Sequence, residues 1–207
     1  EISELRYKIS STAGKSMLLH ITNSKEGLSF SNHKDVNSFA QRGPLTPDHV
    51  IRTKRIPMIG RDIDSYKNEY ISYFQSNEPN AKERKSMLDP APRVLLDKEL
   101  GLCSIGQSMK DIGIISDIYL QTIQSILRAE KLGGFKALPA EDIFDLEYWD
   151  LEQAKLKNNN ISLEFMGQVV LITGAASGIG KSCVDSFLYR GAAVIAVDIS
   201  NSVKTIN

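Results

Sequence analysis

One stretch, residues 168–198, constrains the fold of this chain more than any other. Gln168-Val169-Val170-Leu171-Ile172-Thr173 is a near-continuous apolar run, the pattern of a strand buried on both faces of a parallel sheet. It runs directly into Gly174-Ala175-Ala176-Ser177-Gly178-Ile179-Gly180. A helix is predicted next, with Val184, Phe187 and Leu188 on one side and Arg190-Gly191 closing it. A second apolar strand, Ala193 to Val197, ends in Asp198. Strand, glycine loop, helix and strand in this order begin a Rossmann-type parallel sheet, of which only strand–helix–strand is present.

Each part of the unit has a chemical reason. Gly174 permits a tight turn off the strand, Gly178 lets a pyrophosphate approach the backbone, and Gly180 lets the helix pack closely. Amide N–H groups at the helix start, with the dipole behind them, favour phosphate charge. Asp198, at the end of the second strand, can accept hydrogen bonds from both ribose hydroxyls. A carboxylate there repels a 2′-phosphate, so the reading is NAD rather than NADP.

The preceding residues read as a mixed α/β region. Met17–Thr22 is a strand candidate, and Asn32 is read as the cap of a short helix that buries Val36 and Phe39. Thr46-Pro47 has the form of a helix start with proline in the first turn. Asp62–Ser76 carries Ile63, Tyr66, Tyr70, Ile71 and Phe74 at helical spacing. Asp89-Pro90-Ala91-Pro92 excludes helix, after which Arg93–Leu96 and Leu102–Ile105 read as two short strands around a turn near Gly101. Ser108 caps a long helix with Ile112, Ile115, Tyr119, Ile123 and Ile126 on one face, ended by Gly133-Gly134. Pro139–Lys157 holds one or two further helices, with Trp149 as a packing anchor. The polar run Lys157-Asn158-Asn159-Asn160 is the best boundary. The division is therefore residues 1–157, a linker at 158–166, and the nucleotide unit at 167–207.

Lys plus Arg and Asp plus Glu both total 25, so no net field draws this chain to nucleic acid or an acidic membrane. No run approaches the length of a membrane span. Cys103 and Cys183 are too few and too distant for a disulfide framework or zinc site, which reads as reduced thiols in a cytoplasmic protein. His20, His33 and His49 are scattered and form no local metal motif. His20 reads as a satisfied core or edge residue. His49, with Arg52, Lys54 and Arg55, forms a basic cluster that could hold a phosphate or simply face solvent.

The run Thr173–Gly180 resembles the short-chain dehydrogenase/reductase family, which implies that Ser177, Ile179 and Ile199 also contact the cofactor. The strings 43–57 (GPLTPDHVIRTKRIP), 89–106 (DPAPRVLLDKELGLCSIG) and 148–156 (YWDLEQAKL) extend the likeness. Together with the glycine loop they resemble the bifunctional class II aldolase/short-chain dehydrogenases, of the rhamnulose-1-phosphate aldolase/alcohol dehydrogenase type. Under that resemblance residues 1–157 are an aldolase-associated α/β region, and the family's metal-binding histidines lie upstream of Glu1. The parent protein is then expected to perform zinc-assisted cleavage of a phosphorylated ketose, rhamnulose 1-phosphate in the rhamnose route. NAD-linked oxidation of the released lactaldehyde follows, so the parent takes a small aldehyde or alcohol.

Dehydrogenases of that family use a Tyr-x-x-x-Lys pair and an upstream Ser, and no Tyr here is followed four residues later by Lys. The chain therefore reads as an internal fragment: Glu1 looks like a cut, and the catalytic residues are expected beyond Asn207. The bare sheet of 167–207 is expected to be poorly ordered, self-associated as in a homo-oligomer, or propped against 87–157. A rival reading is a non-catalytic assembly or interdomain module, with helix 108–131 packing on a partner.

Overall fold

The computed structural model describes residues 1–157 and 163–205. The boundary residues Asn158, Asn159 and Asn160 lie outside that range. The first part begins with helix α1 (Ile2–Ala13), then strand β1 (Leu18–Ile21) and three short helices, α2 (Lys25–Ser31), α3 (Val36–Ala40) and α4 (Val50–Thr53). Strand β2 (Met58–Ile59), helix α5 (Ile63–Asn77), strands β3 (Val94–Asp97) and β4 (Gly101–Gly106), and helix α6 (Met109–Glu130) follow. Helices α7 (Ala140–Glu147) and α8 (Asp150–Lys157) close it.

The four strands form one sheet in the order β1-β4-β3-β2, antiparallel except for the parallel β2–β3 pair. Side chains alternate across it. Leu95, Cys103 and Ile105 face a core with Leu5 and Ile9 of α1 and with Ile63 and Tyr66 of α5. Val94, Leu96 and Leu102 face the opposite core with Phe30 of α2 and with Ile115, Tyr119, Ile123 and Ile126 of α6. The result is three layers, helix–sheet–helix. Each fully buried isoleucine of α6 contributes about 1.5–3 kcal/mol through its removal from water.

Helix α6 starts as its sequence suggests, with the Ser108 hydroxyl accepting the Asp111 N–H. Asp62 caps α5 in the same way, through the Ser65 N–H. Asn32 does not open a helix. It ends α2, while Asp35 precedes α3. The reading failed because Asn serves both helix ends, and here its amide binds the Leu28 and Lys98 carbonyls. Trp149 is not a packing anchor either. It is 49% exposed between α7 and α8, and the aromatic cluster there is built from Tyr70, Tyr73, Phe144 and Tyr148. His20 lies on edge strand β1, but its Nδ1 is buried without a hydrogen-bond partner. Cys103 and Cys183 are free thiols, and burial pushes the Cys103 thiol up to about 12.

The β3–β4 turn is held by one carboxylate. Asp97 accepts the N–H groups of Glu99 and Leu100, both at 2.9 Å, and takes Nε and Nη2 of Arg61 at 2.7 and 2.9 Å. The Arg61 hydrogen bonds, above all, hold the Asp97 carboxyl down to about 2. A depressed acid stabilises the fold above its unfolded pKa and loses that contribution as pH falls through the folded value. Asp97 should therefore supply roughly 1–2 kcal/mol that disappears between pH about 4 and about 2. Urea unfolding of the parent and Asp97→Asn at those two pH values checks this. The acid-induced loss should be smaller in the variant by that amount.

The second part is a strand–helix–strand unit: β5 (Val169–Thr173), α9 (Gly178–Tyr189) and β6 (Ala193–Val197). The two strands are parallel, with Val169 opposite Ala193 and Thr173 opposite Val197. Val170, Ile172, Val194 and Ala196 pack against Val184 and Phe187 of α9. The other face is bare, with Leu171 64% exposed and Ile195 and Val197 also exposed. The expected burial on both faces is met on one only, because a single helix can cover one side of a sheet.

Candidate functional site

The glycine loop joins β5 to α9. Gly174 (φ 65°) turns the chain out of the strand, and Gly178 (φ 53°) starts the helix in a left-handed conformation. Open space lies in front of Gly178, where an added Cβ would meet no heavy atom within 4 Å. Gly180 is the opposite case. A Cβ there would lie 2.0 Å from the Gly174 carbonyl oxygen, so the first turn of α9 packs on the loop itself as closely as a backbone can. The sequence suggests contact between helix and sheet, and the structure refines this to contact between helix and loop.

Ser177 precedes the helix in an extended conformation and its side chain does not cap it. The Lys181 N–H bonds the Ser177 carbonyl at 3.2 Å, so the amides before it have no partner from the helix ladder. Two other loop amides tie the loop to β6: the Ala175 N–H donates to the Val197 carbonyl and the Ala176 N–H to Oδ2 of Asp198. Asp198 Oδ1 accepts the Ser200 N–H at 2.8 Å. These bonds, from Ser200 first and Ala176 next, hold its carboxyl below the usual carboxylate range. The acid is thus ionised at neutral pH and fixed against the loop, with lone pairs to spare. Ile179 (86% exposed) and Ile199 (fully exposed) present apolar surface beside it. An open shallow surface continues along α9 past Ser182, Cys183 and Phe187. All seven residues singled out by sequence, Gly174, Ser177, Gly178, Ile179, Gly180, Asp198 and Ile199, belong to this loop, the start of α9 or the end of β6.

The basic cluster near His49 does not assemble. Arg52 pairs with Asp111 of α6, Arg55 with Glu69 of α5, and Lys54 turns inward to Glu147 of α7. The inward Lys54 marks a polar cluster that sequence reading missed. Its backbone is left-handed (φ 62°), the single such non-glycine among the described residues. The Lys54 ammonium donates to the Tyr70 hydroxyl at 2.9 Å and reaches Glu147 Oε1 at 3.4 Å. The Tyr70 hydroxyl donates to the same carboxylate oxygen and bonds the Tyr148 hydroxyl at 2.8 Å. Burial pulls the Lys54 pKa down, with the Glu147 charge opposing it. Glu147 Oε2 and the Tyr73 hydroxyl are buried without hydrogen-bond partners. No sequence motif announces this cluster, because its members lie far apart in the chain. It joins α4, α5 and α7.

Among the described residues no group of three His, Cys, Asp or Glu side chains is placed to hold a metal ion. No described helix is long and apolar enough to cross a membrane.

Comparison with known proteins covers both parts of the chain. An uncharacterized oxidoreductase of Bacillus subtilis (strain 168), YuxG, is 29% identical over 203 residues, covering 90% of this chain and 29% of that protein. An uncharacterized oxidoreductase of Thermotoga maritima is 58% identical over 38 residues, covering 18% of this chain and 15% of its own length. The chain thus spans less than a third of these relatives. No solved structure matches it. Residues 1–156, the three-layer part with its four-stranded sheet, match the family described as aldolase class II, second domain, and the chain belongs to that family.

Proposed function

We propose that the unit beginning at Gly167 is the opening of a Rossmann-type, NAD-binding domain of the short-chain dehydrogenase kind, attached to the class II aldolase second domain. The observation that carries this reading is Asp198, ionised and anchored to the Ala176 amide beside an uncapped helix start. The amides at the start of α9 would hold the pyrophosphate, and Gly178 leaves room for its approach. Asp198 would accept the ribose hydroxyls and repel a 2′-phosphate. Ile179 and Ile199 offer apolar surface to the ring faces of the nucleotide. When bound, NAD supplies the hydride acceptor. The chain's own residues bind and orient it, and none of them is assigned proton transfer.

The oxidoreductase names of the two relatives support an enzyme of that class as the whole protein. With the family match, the reading is an NAD-linked enzyme of sugar breakdown in the cytoplasm. Its substrate would be a small aldehyde or alcohol released by a ketose-phosphate aldolase. Calorimetric titration of the chain tests the nucleotide site. NAD should bind more tightly than NADP. Asp198→Ala should weaken NAD about tenfold or more, the effect of losing charge-assisted hydrogen bonds, while leaving NADP unchanged or improved. Equal losses for both nucleotides would remove Asp198 from ribose recognition.

A second reading has its own support. The bare face of β5 and β6, with Leu171, Ile195 and Val197 exposed, suits an assembly surface of the non-catalytic or homo-oligomeric kind. Sedimentation of the parent and Leu171→Lys decides it. A mass that falls in the variant supports assembly through this face, and an unchanged monomer excludes it.

A further inference from the structure

We propose that Arg6 and Gly167 form a positioning joint that fixes the direction of the glycine loop relative to the aldolase-family domain. Three separate segments of that domain converge on Gly167. The Arg6 guanidinium on α1 donates through Nη2 to the Gly167 carbonyl at 2.9 Å and through Nε to the Met17 carbonyl at 2.8 Å. The Gly167 N–H donates to the carbonyl of Gln107, between β4 and α6, at 2.9 Å. Both main-chain polar groups of Gly167 are therefore held by the domain, which buries it. Its Cα faces the Ser16 carbonyl so closely that an added Cβ would lie 2.0 Å from that oxygen. Its φ of 76° also disfavours any other residue.

The far end of each contact is firm. Met17 is 1% exposed and its N–H is held by the Ser10 hydroxyl. Among the described residues Arg6 has no carboxylate partner. Its fork spans two carbonyls from opposite ends of the chain, a use that needs planar, directed donors rather than charge alone. On the other side, the segment leading into Gly167 is packed onto the strand–helix–strand unit. Phe165 lies against the Phe187 ring at 5.0 Å, Arg190 covers the Phe165 ring, and the Phe165 N–H bonds the Arg190 carbonyl. Gln168 accepts the first bond from β6, through the Ala193 N–H. Fixing Gly167 thus fixes β5, β6 and the loop between β5 and α9 as one body. This inference does not depend on nucleotide binding.

Spin labels at Lys131→Cys and Asp185→Cys, on exposed sites of α6's end and of α9, report the direction of one part against the other in a Cys183→Ser background. Pulsed electron–electron resonance should give a single narrow distance peak for this parent. Gly167→Ala and, separately, Arg6→Ala should each lose it for a broad distribution, with circular dichroism unchanged. Arg6→Lys, which can reach only one carbonyl, should fall between them. A Gly167→Ala or Arg6→Ala distribution as narrow as the parent's, at the same distance, overturns the proposal. Should Gly167→Ala fail to fold, the Arg6→Ala distribution decides alone.

Discussion

Gly180→Ala should abolish measurable nucleotide binding and loosen the whole strand–helix–strand unit. The added Cβ would lie 2.0 Å from the Gly174 carbonyl oxygen, 2.6 Å from its carbon and 3.2 Å from the Ala175 nitrogen. All three are backbone atoms, so no side chain can swing aside. Relief requires α9 to move away from the loop, which also pulls the helix-start amides out of place. Overpacking against a rigid neighbour commonly costs about 1–3 kcal/mol, and backbone against backbone belongs at or above the top of that range. Three kcal/mol corresponds to roughly a hundredfold in affinity. Gly178→Ala is the control for the fold alone: without nucleotide its Cβ meets open space and only its φ of 53° is strained, for about 1 kcal/mol. NAD titration and hydrogen exchange in β5 and β6 measure both. A Gly180→Ala protein that binds NAD as the parent does, or whose strands exchange no faster than those of Gly178→Ala, would show that the loop and α9 part more easily than their contact implies.

The second large effect is expected at the buried cluster. Glu147→Ala should destabilise the aldolase-family domain by about 3–5 kcal/mol, because it leaves the Lys54 ammonium buried without its counter-charge. The Tyr70 hydroxyl also loses an acceptor, though it keeps Tyr148. The double variant Lys54→Met/Glu147→Leu should recover most of that loss, since two apolar side chains have no desolvation penalty. Urea unfolding of the two single variants and the double separates the pair's coupling from its parts. A Glu147→Ala variant within about 1 kcal/mol of the parent would show that the buried Lys54 does not depend on Glu147 for a counter-charge.

What was legible in the sequence follows from the range of the interactions involved. The cap Ser108, the apolar faces of 62–76 and Ile112–Ile126, and the run from Val169 to Asp198 are local, each set by residues within a turn or two of one another. Their positions could be read directly, and the loop residues named from sequence lie together in the fold. Long-range pairings were silent. Nothing near Lys54 says that it will meet Glu147, and nothing near Arg6 points to Gly167. The basic cluster around His49 misled for the same reason: Arg52, Lys54 and Arg55 are neighbours in sequence but diverge to three different helices. Trp149 misled through size, since a large aromatic ring is usually buried, whereas here Phe144 and Tyr148 already fill the space.

The strand order β1-β4-β3-β2 carries a consequence for how the chain folds. The β3–β4 hairpin closes over a tight turn pinned by Asp97, and α6 follows it immediately in the chain. These are short loops with little closure entropy, so they can form early. Strand β1 pairs with β4, and β2 adds on the far side of β3, so both must wait for partners made much later in the chain. Residues 94–126 are the expected nucleus, with α1 and β1 joining after the rate-limiting step. Truncating Ile123 should then slow refolding, whereas truncating Leu5 should mainly speed unfolding.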